Sequence, residues 1–271
     1  METSEGRITG ESMKAIVVST PRTCSSYLQN IFAKKFDLID YSELFSEMWV
    51  KADVHTKMKI VTRSDNYTAK ITSTSLTTYP HIFDYKTFPW KTFDYIVVTE
   101  RLDIAQQVSS WLLLSHAQMN GKGDQNLLIE YLQDGMTHPE DFPDVDREQL
   151  KSILRTINHF HNDIKPYLLN SGLPSVKLVN HEMFQKEPES YIEELREKTD
   201  IYWRVEDLVS LGNPTYVDYI PYIETKNLRQ IINEVQNELK GIPTQLEVLD
   251  APTEENNSTE RTDTIKSEGS V

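Results

Sequence analysis

The sequence lacks several features that would place it in familiar classes. Its 271 residues include one cysteine, Cys24, so no disulfide can form within the chain and a cysteine-rich zinc site is excluded. Lysine and arginine number 28 against 42 acidic residues, which gives a formal net charge of −14. So acidic a chain does not suit general binding to nucleic acid or anionic membranes. Any anion site must therefore be a local group of basic residues.

Long apolar runs are also absent. No run approaches the roughly 20 residues of a membrane-spanning helix, and no basic segment followed by an apolar one begins the chain. We therefore expect a soluble, cytoplasmic protein. No Gly-x-x-x-x-Gly-Lys-Ser/Thr sequence occurs, which argues against a Walker-type ATP or GTP hydrolase. His159 and His161 are two apart on a predicted helix and face different directions, so we predict no metal site.

Composition divides the chain into a body and two polar ends. Residues 1–12 are polar, and residues 241–271 are acidic and rich in Thr, Ser and Asn, so we predict disorder at both ends. Residues 13–240 contain no Gly/Ser-rich linker. This length is enough to bury a substantial core, and we predict a single domain.

Short apolar runs alternate with helical periodicity along this body. A short continuous apolar run is typical of a parallel strand that is buried on both faces. The clearest helical stripe runs through residues 146–169, and others lie around residues 191–195 and 228–239. Alternating strands and helices predict an α/β fold with ligands at the carboxyl ends of a parallel sheet. The predicted strands cover residues 15–18, 93–99 and 176–179, with a short strand within 36–40 and another around 70–72 in the weakly alternating segment 57–75.

The segment 14–32 predicts a strand, a tight loop and a helix. Its loop is made of small hydroxyl residues and one arginine, Arg22, just before the helix. The free N–H groups of a helix's first turn, together with its dipole, favour an anion at such a loop. The alternative is that Ser25 and Ser26 only cap the helix.

A second loop of the same kind follows the strand at 93–99. It places Arg101 at the carboxyl end of that strand, with Asp103 positioned to cap the next helix. The carboxyl ends of parallel strands meet at one edge of the sheet, so Arg22 and Arg101 are expected at the same rim. Arginine suits phosphate and sulfate because its planar fork binds two oxygens and stays charged.

Both loops resemble elements of the sulfotransferases. The family's 5′-phosphosulfate loop reads Pro, Arg or Lys, Ser or Thr, Gly and two hydroxyl residues, and it is similar to Pro21-Arg22-Thr23-Cys24-Ser25-Ser26-Tyr27-Leu28. Arg101, followed eight positions later by Ser109, resembles the family's 3′-phosphate-binding pair. The segment Asn180-His181-Glu182 resembles, more weakly, a family motif that follows a later strand.

The resemblance implies a P-loop-like central parallel sheet flanked by helices in a single domain. It also implies binding of 3′-phosphoadenosine 5′-phosphosulfate (PAPS) as co-substrate, without a metal, and sulfuryl transfer to a hydroxyl or amine of a carbohydrate, small molecule or peptide. Neither nucleic acid nor a membrane is an expected partner. By position, Arg22 would lie at the bridging oxygen, Arg101 and Ser109 would hold the 3′-phosphate, and the remaining nucleotide contacts would come from Thr23, Cys24, Ser25, Ser26 and Tyr27.

The acceptor must also lose a proton, which requires a base. Cytosolic members of the family use the histidine of a Lys-x-His element, whereas Lys70-Ile71-Thr72 here has threonine at that position. Other branches use a glutamate about twenty residues beyond the loop. This implies Glu43 as the base and Lys70 as a second cation. The alternatives are an exposed carboxylate at a helix start for Glu43 and an ordinary strand lysine for Lys70.

Two departures from the family pattern leave other functions open. Cys24 stands where the family has glycine, and a side chain there is expected to crowd the phosphate or to require a negative φ. A late Arg-Lys-Gly element of some members has no counterpart. The alternatives are a catalytically degenerate binding module and a different P-loop-like transferase. A reactive thiol at Cys24 is a further, remote alternative, because no paired histidine is evident.

Overall fold

Five parallel strands form one sheet in the computed structural model, which describes residues 13–45, 54–78, 84–119, 138–173, 176–182, 188–199 and 217–240. The predicted disordered ends, 1–12 and 241–271, lie outside these ranges. The strand order is β2-β3-β1-β4-β5, and every neighbouring pair is parallel. The α/β prediction is therefore confirmed. The strands are β1 Lys14–Ser19, β2 Ile39–Asp40, β3 Tyr67–Thr72, β4 Tyr95–Glu100 and β5 Val176–Asn180.

Helices follow or precede each strand, as predicted for the main elements. No helix in the described ranges is long and apolar enough to cross a membrane. The amphipathic segment 146–169 is one nearly continuous helical run whose middle, Phe160–Ile164, is a π-helix. The α-helices are α1 Ser25–Phe36, α2 Val54–Arg63, α3 Ser73–Thr78, α4 Ile104–Met119, α5 Arg147–His159, α6 Lys165–Asn170, α7 Pro188–Thr199, α8 Ile220–Thr225 and α9 Leu228–Lys240, with short 3₁₀ turns at Trp90–Thr92 and Pro139–Asp141.

The segment 57–75 was only partly predicted. Its strand is present as β3, but residues 57–63 belong to helix α2. Met58 and Val61 are three apart and pack against the same core beside the sheet, which is helical spacing. Residues 57–60 also alternate between lysine and an apolar residue, which resembles a strand, so the helix was read as β structure.

Apolar helices cover both faces of the sheet. One face packs on Phe160, Ile164 and Leu168, around the π-helix and α6. The other face packs on α1 and α7, through residues such as Phe32 and Leu195. Burial on both faces explains why the strands read as continuous apolar runs. It also fixes the carboxyl ends of the strands on a rigid support.

The strand order places a crevice between β1 and β4. The chain leaves β1 toward β2 on one side of the sheet and leaves β4 toward β5 on the other. Adjacent strands with opposite exits mark the ligand-binding crevice of an open α/β sheet. Ser19 pairs with Thr99, so the loop after β1 and the loop after β4 emerge side by side.

Candidate active site

The loop between β1 and α1 has an unusual backbone. Arg22 has φ 69° and Cys24 has φ 54°, so both occupy the left-handed region that non-glycine residues seldom adopt. Left-handed residues in a turn are typical of backbone nests, whose N–H groups point into an anion-binding concavity. The loop keeps this shape although it contains no glycine.

Buried side chains from two elements hold the loop in place. The hydroxyl of Thr23 donates to the carbonyl oxygen of Thr20 at 3.0 Å and shares a hydrogen bond of 2.8 Å with the hydroxyl of Thr99 on β4. From α4, Nε2 of Gln107 donates to Oγ1 of Thr20 at 2.6 Å and to the carbonyl oxygen of Pro21 at 2.8 Å. Both contacts of the Thr23 hydroxyl are with buried protein groups, so this hydroxyl stabilises the conformation of the loop.

Cys24 adopts the conformation expected of a glycine. The expectation of a negative φ is wrong, because Cys24 immediately precedes α1 with a left-handed backbone. Burial raises the pKa of its thiol to about 11, although Arg101 and Arg22 act in the opposite direction. We therefore expect a protonated thiol of low reactivity at neutral pH.

Cys24→Gly should relieve the left-handed strain. We expect the glycine variant to be more stable than Cys24→Ala by about 1 kcal/mol, because alanine retains the Cβ that disfavours this backbone. Both substitutions remove the thiol, so both variants lose the packing contacts of the sulfur atom. Urea unfolding of the two variants provides the measurement. An alanine variant as stable as the glycine variant would show that the position carries no backbone strain.

The protonated thiol should also react slowly. At about pH 8 we expect alkylation of native Cys24 to be roughly 100-fold slower than in urea-unfolded chain, because thiolate is the reactive form. Cys24 is the only cysteine, so the modified fraction measured by mass spectrometry reports this site alone. Equal rates in the native and unfolded protein would contradict the buried, protonated thiol.

Arg22 is held by Ser110, a residue that the sequence did not indicate. Its Nε donates to Oγ of Ser110 at 2.8 Å, which directs the guanidinium toward α4. Ser109, predicted to share the 3′-phosphate with Arg101, is fully buried, and its hydroxyl donates to the carbonyl oxygen of Ala105 at 2.7 Å. Consecutive helix residues point about 100° apart, so these two neighbouring serines have different surroundings.

Arg101 is buried with only part of its hydrogen-bonding capacity used. It is 3% exposed, and Nη2 donates to Oε1 of Gln106 at 2.7 Å. The guanidinium carbon lies 5.9 Å from the ring centroid of Tyr219. Its Nε has no hydrogen-bond partner, and no carboxylate in the described ranges forms an ion pair with it. Burial lowers its pKa. Glu182 and Asp103 act in the opposite direction, but neither forms an ion pair with Arg101, so the site can accept an anionic ligand.

His181 and Glu182 follow β5, whose last residue Asn180 pairs with Glu100. Oε1 of Glu182 accepts hydrogen bonds from the N–H groups of Leu102 at 2.8 Å and residue 103 at 3.2 Å, so it holds the turn after Arg101. Burial, reinforced by Arg101 and the arginine of the loop, lowers the pKa of His181 to about 3. The motif Asn180-His181-Glu182 is a weak signal in the sequence, and it did not indicate these contacts.

Two of the three predicted catalytic residues, Lys70 and Glu43, meet near the N-terminus of α1. Nζ of Lys70 donates to Oγ of Ser26 at 2.8 Å and lies 3.6 Å from Oε2 of Glu43. Oε1 of Glu43 accepts a hydrogen bond of 2.6 Å from Thr72, the residue in place of the family's histidine. Lys70 is 8% exposed, whereas the Glu43 side chain is 30% exposed. Glu43 is thus partly open to solvent and engaged by Thr72 and Lys70, and Lys70 is a buried lysine that also contacts the first turn of α1.

The remaining predicted residues surround this centre. Ser25 is buried at the first turn of α1, whereas Ser26 is exposed. Tyr27 is half-buried against the core beneath α1, and burial, with a hydrogen bond to Tyr191, raises its pKa. The structure thus groups Arg22, Arg101 and His181 on one side of the α1 N-terminus, and Lys70 with Glu43 on the other. Such an arrangement can bind an anion and place a carboxylate beside it.

Comparison with protein-family models finds no match for this chain, and comparison with curated protein sequences finds none either.

Proposed function

We propose that this chain is a sulfotransferase that binds PAPS and transfers its sulfuryl group to an acceptor hydroxyl or amine. The observation that carries the proposal is the buried Arg101, whose unpartnered Nε lies at the crevice beside the β1–α1 loop. A guanidinium held in this state fits a phosphate group. The strand order, with β1 central and its loop at the crevice, supports a P-loop-like arrangement.

The residues present fit a nucleotide with two anionic groups. The left-handed loop and the first turn of α1 offer N–H groups to the 5′-phosphosulfate, with Ser25 and Ser26 beside them. Arg101 fits the 3′-phosphate on the other side of the crevice. Once bound, PAPS supplies an activated sulfuryl group with a stable phosphate as its leaving group.

Each catalytic side chain has a separate task. Arg22 stabilises the negative charge that develops on the leaving oxygen, as a fixed cation does in phosphoryl transfer. Glu43 accepts the proton of the acceptor hydroxyl as the new bond to sulfur forms. Lys70 holds Oε2 of Glu43 and the hydroxyl of Ser26, which ties the base to the loop. Thr72 fixes the other oxygen of the base.

A second candidate is a nucleotide-binding module without transferase activity. The observation in its favour is that both carboxylate oxygens of Glu43 are engaged, by Thr72 and by Lys70. Oxygens that are held by protein groups are less available to the hydroxyl of an acceptor. This module would keep the anion site formed by Arg22 and Arg101 but would not activate an acceptor.

Radiolabelled PAPS distinguishes the two candidates. The purified chain is incubated with PAPS carrying labelled sulfate and a panel of carbohydrate, phenolic and peptide hydroxyls and amines. We expect labelled acceptor to form together with an equal amount of 3′-phosphoadenosine 5′-phosphate (PAP). Nucleotide binding with no labelled product across the panel would favour the binding module. No binding at all would reject both candidates.

A further inference from the structure

We propose that His181 is a further ligand of the phosphate bound by Arg101, and that phosphate binding is accompanied by protonation of its imidazole. This inference rests on the proposed nucleotide binding. It predicts that the affinity for the nucleotide rises as the pH falls. The chemistry is that of a phosphate group held between a guanidinium and an imidazolium.

Strand register brings His181 beside Arg101. The residues just before them, Asn180 and Glu100, are paired across β4 and β5. Side chains alternate between the faces of a sheet, and Val97 and Val179 pack in the core beneath α1. Arg101 and His181 come directly after these paired strands and so emerge at the same edge of the sheet.

The N-terminal side of α1 lies at this edge as well. Cys24, just before the helix, packs against the same core. Arg22 and Arg101 both act on the ionisation of Cys24 and of His181, which places the two guanidinium groups around one small region. The histidine is therefore part of the crevice that the two arginines line.

The imidazole of His181 is buried without a polar partner. The residue is 7% exposed, and its Nδ1 has no hydrogen-bond partner in the described ranges. Buried polar atoms are normally paired, so an unpaired nitrogen beside two guanidinium groups indicates a missing acceptor. A phosphate oxygen meets the needs of all three side chains.

The charged groups around His181 determine whether phosphate binding raises or lowers the pKa of its imidazole. Arg101 at the end of β4 and Arg22 in the β1–α1 loop both disfavour a positive charge on the imidazole. Cys24 is neutral, and one carboxylate oxygen of Glu182 is already bound to the turn after Arg101. A phosphate neutralises the two arginines and adds negative charge beside the ring.

The direction of the pKa change follows from these groups. Without an anion, the pKa of His181 is about 3, so the ring is neutral at physiological pH. Phosphate moves this pKa up toward the ordinary histidine value of about 6.5. Binding below about pH 7 therefore takes up a proton, and by linkage the affinity for the nucleotide increases as the pH falls.

Calorimetry in buffers of different ionisation enthalpy measures this proton directly. PAP is titrated into wild-type chain, His181→Gln and His159→Gln at about pH 6.5, where we expect wild type to take up as much as half a proton more than His181→Gln. Proton uptake by the phosphate itself is expected in all three titrations, so it cancels when the proteins are compared. His159 is paired with Asp163 on the α5 side, at 2.7 Å, so its variant should behave as wild type.

Every outcome bears on the inference. Equal proton uptake by wild type and His181→Gln would overturn it while leaving the proposed function intact, and absence of PAP binding to wild type would overturn both. Should His181→Gln fail to fold, the histidine ring signals of the wild type decide by NMR. We expect one ring that does not titrate between about pH 5 and pH 8 in the free chain but titrates there with PAP bound. The same ring titration with and without PAP would contradict the inference.

Discussion

Arg101→Met is expected to weaken PAP binding by roughly 100-fold or more. Hydrogen bonds to a charged group contribute about 1.5–3 kcal/mol each, and a guanidinium fork forms two of them with a phosphate. Methionine fills similar space without charge. Equilibrium dialysis with radiolabelled PAP measures the dissociation constant of the variant and the wild type.

The same substitution should not destabilise the free protein. Arg101 is buried and forms no ion pair with any residue that the structure describes, and replacing such a charge by an apolar side chain is often neutral or stabilising. Arg101→Lys should bind with intermediate affinity, because it keeps the charge and loses the fork. Arg155→Met, at an exposed position of α5, serves as the matched control. Unchanged PAP affinity in Arg101→Met would remove the observation on which the proposed function rests.

Glu43→Gln is expected to slow sulfuryl transfer by about 100- to 10,000-fold while changing PAP affinity little. Glutamine can still accept the hydrogen bond from Thr72, so the local structure is preserved, but an amide does not take up the acceptor's proton. Single-turnover transfer from radiolabelled PAPS isolates the chemical step. Glu193→Gln, on the exposed face of α7, is the control. Transfer at the wild-type rate by Glu43→Gln would show that another group is the base.

The elements that the sequence predicted best are the strands that are buried on both faces. The continuous apolar runs of β1, β4 and β5 could be recognised because helices cover both faces of the sheet. Helix α2 was misread because residues 57–60 alternate between lysine and an apolar residue, a pattern that is typical of a strand. Short helices such as α3 contain too few residues to show a period.

The candidate site could be predicted in its parts but not in its contacts. Arg22 and Arg101 were placed at one rim by the rule for parallel strands, and the structure has their loops side by side. Ser110 was not predicted as a partner of Arg22, because residue spacing does not show which side chain of α4 turns toward the loop. Cys24 adopts a left-handed backbone because neighbouring side chains fix the loop, and that constraint comes from β4 and α4.

Calorimetric titration of the wild-type chain with PAP, beside the same titration with adenosine 5′-monophosphate, tests the central claim most directly. The two ligands differ in the 3′-phosphate that Arg101 is proposed to hold. We expect saturable one-to-one binding of PAP that is at least roughly 100-fold tighter than binding of the monophosphate. Equal affinity for the two nucleotides, or no binding of PAP, would contradict the account.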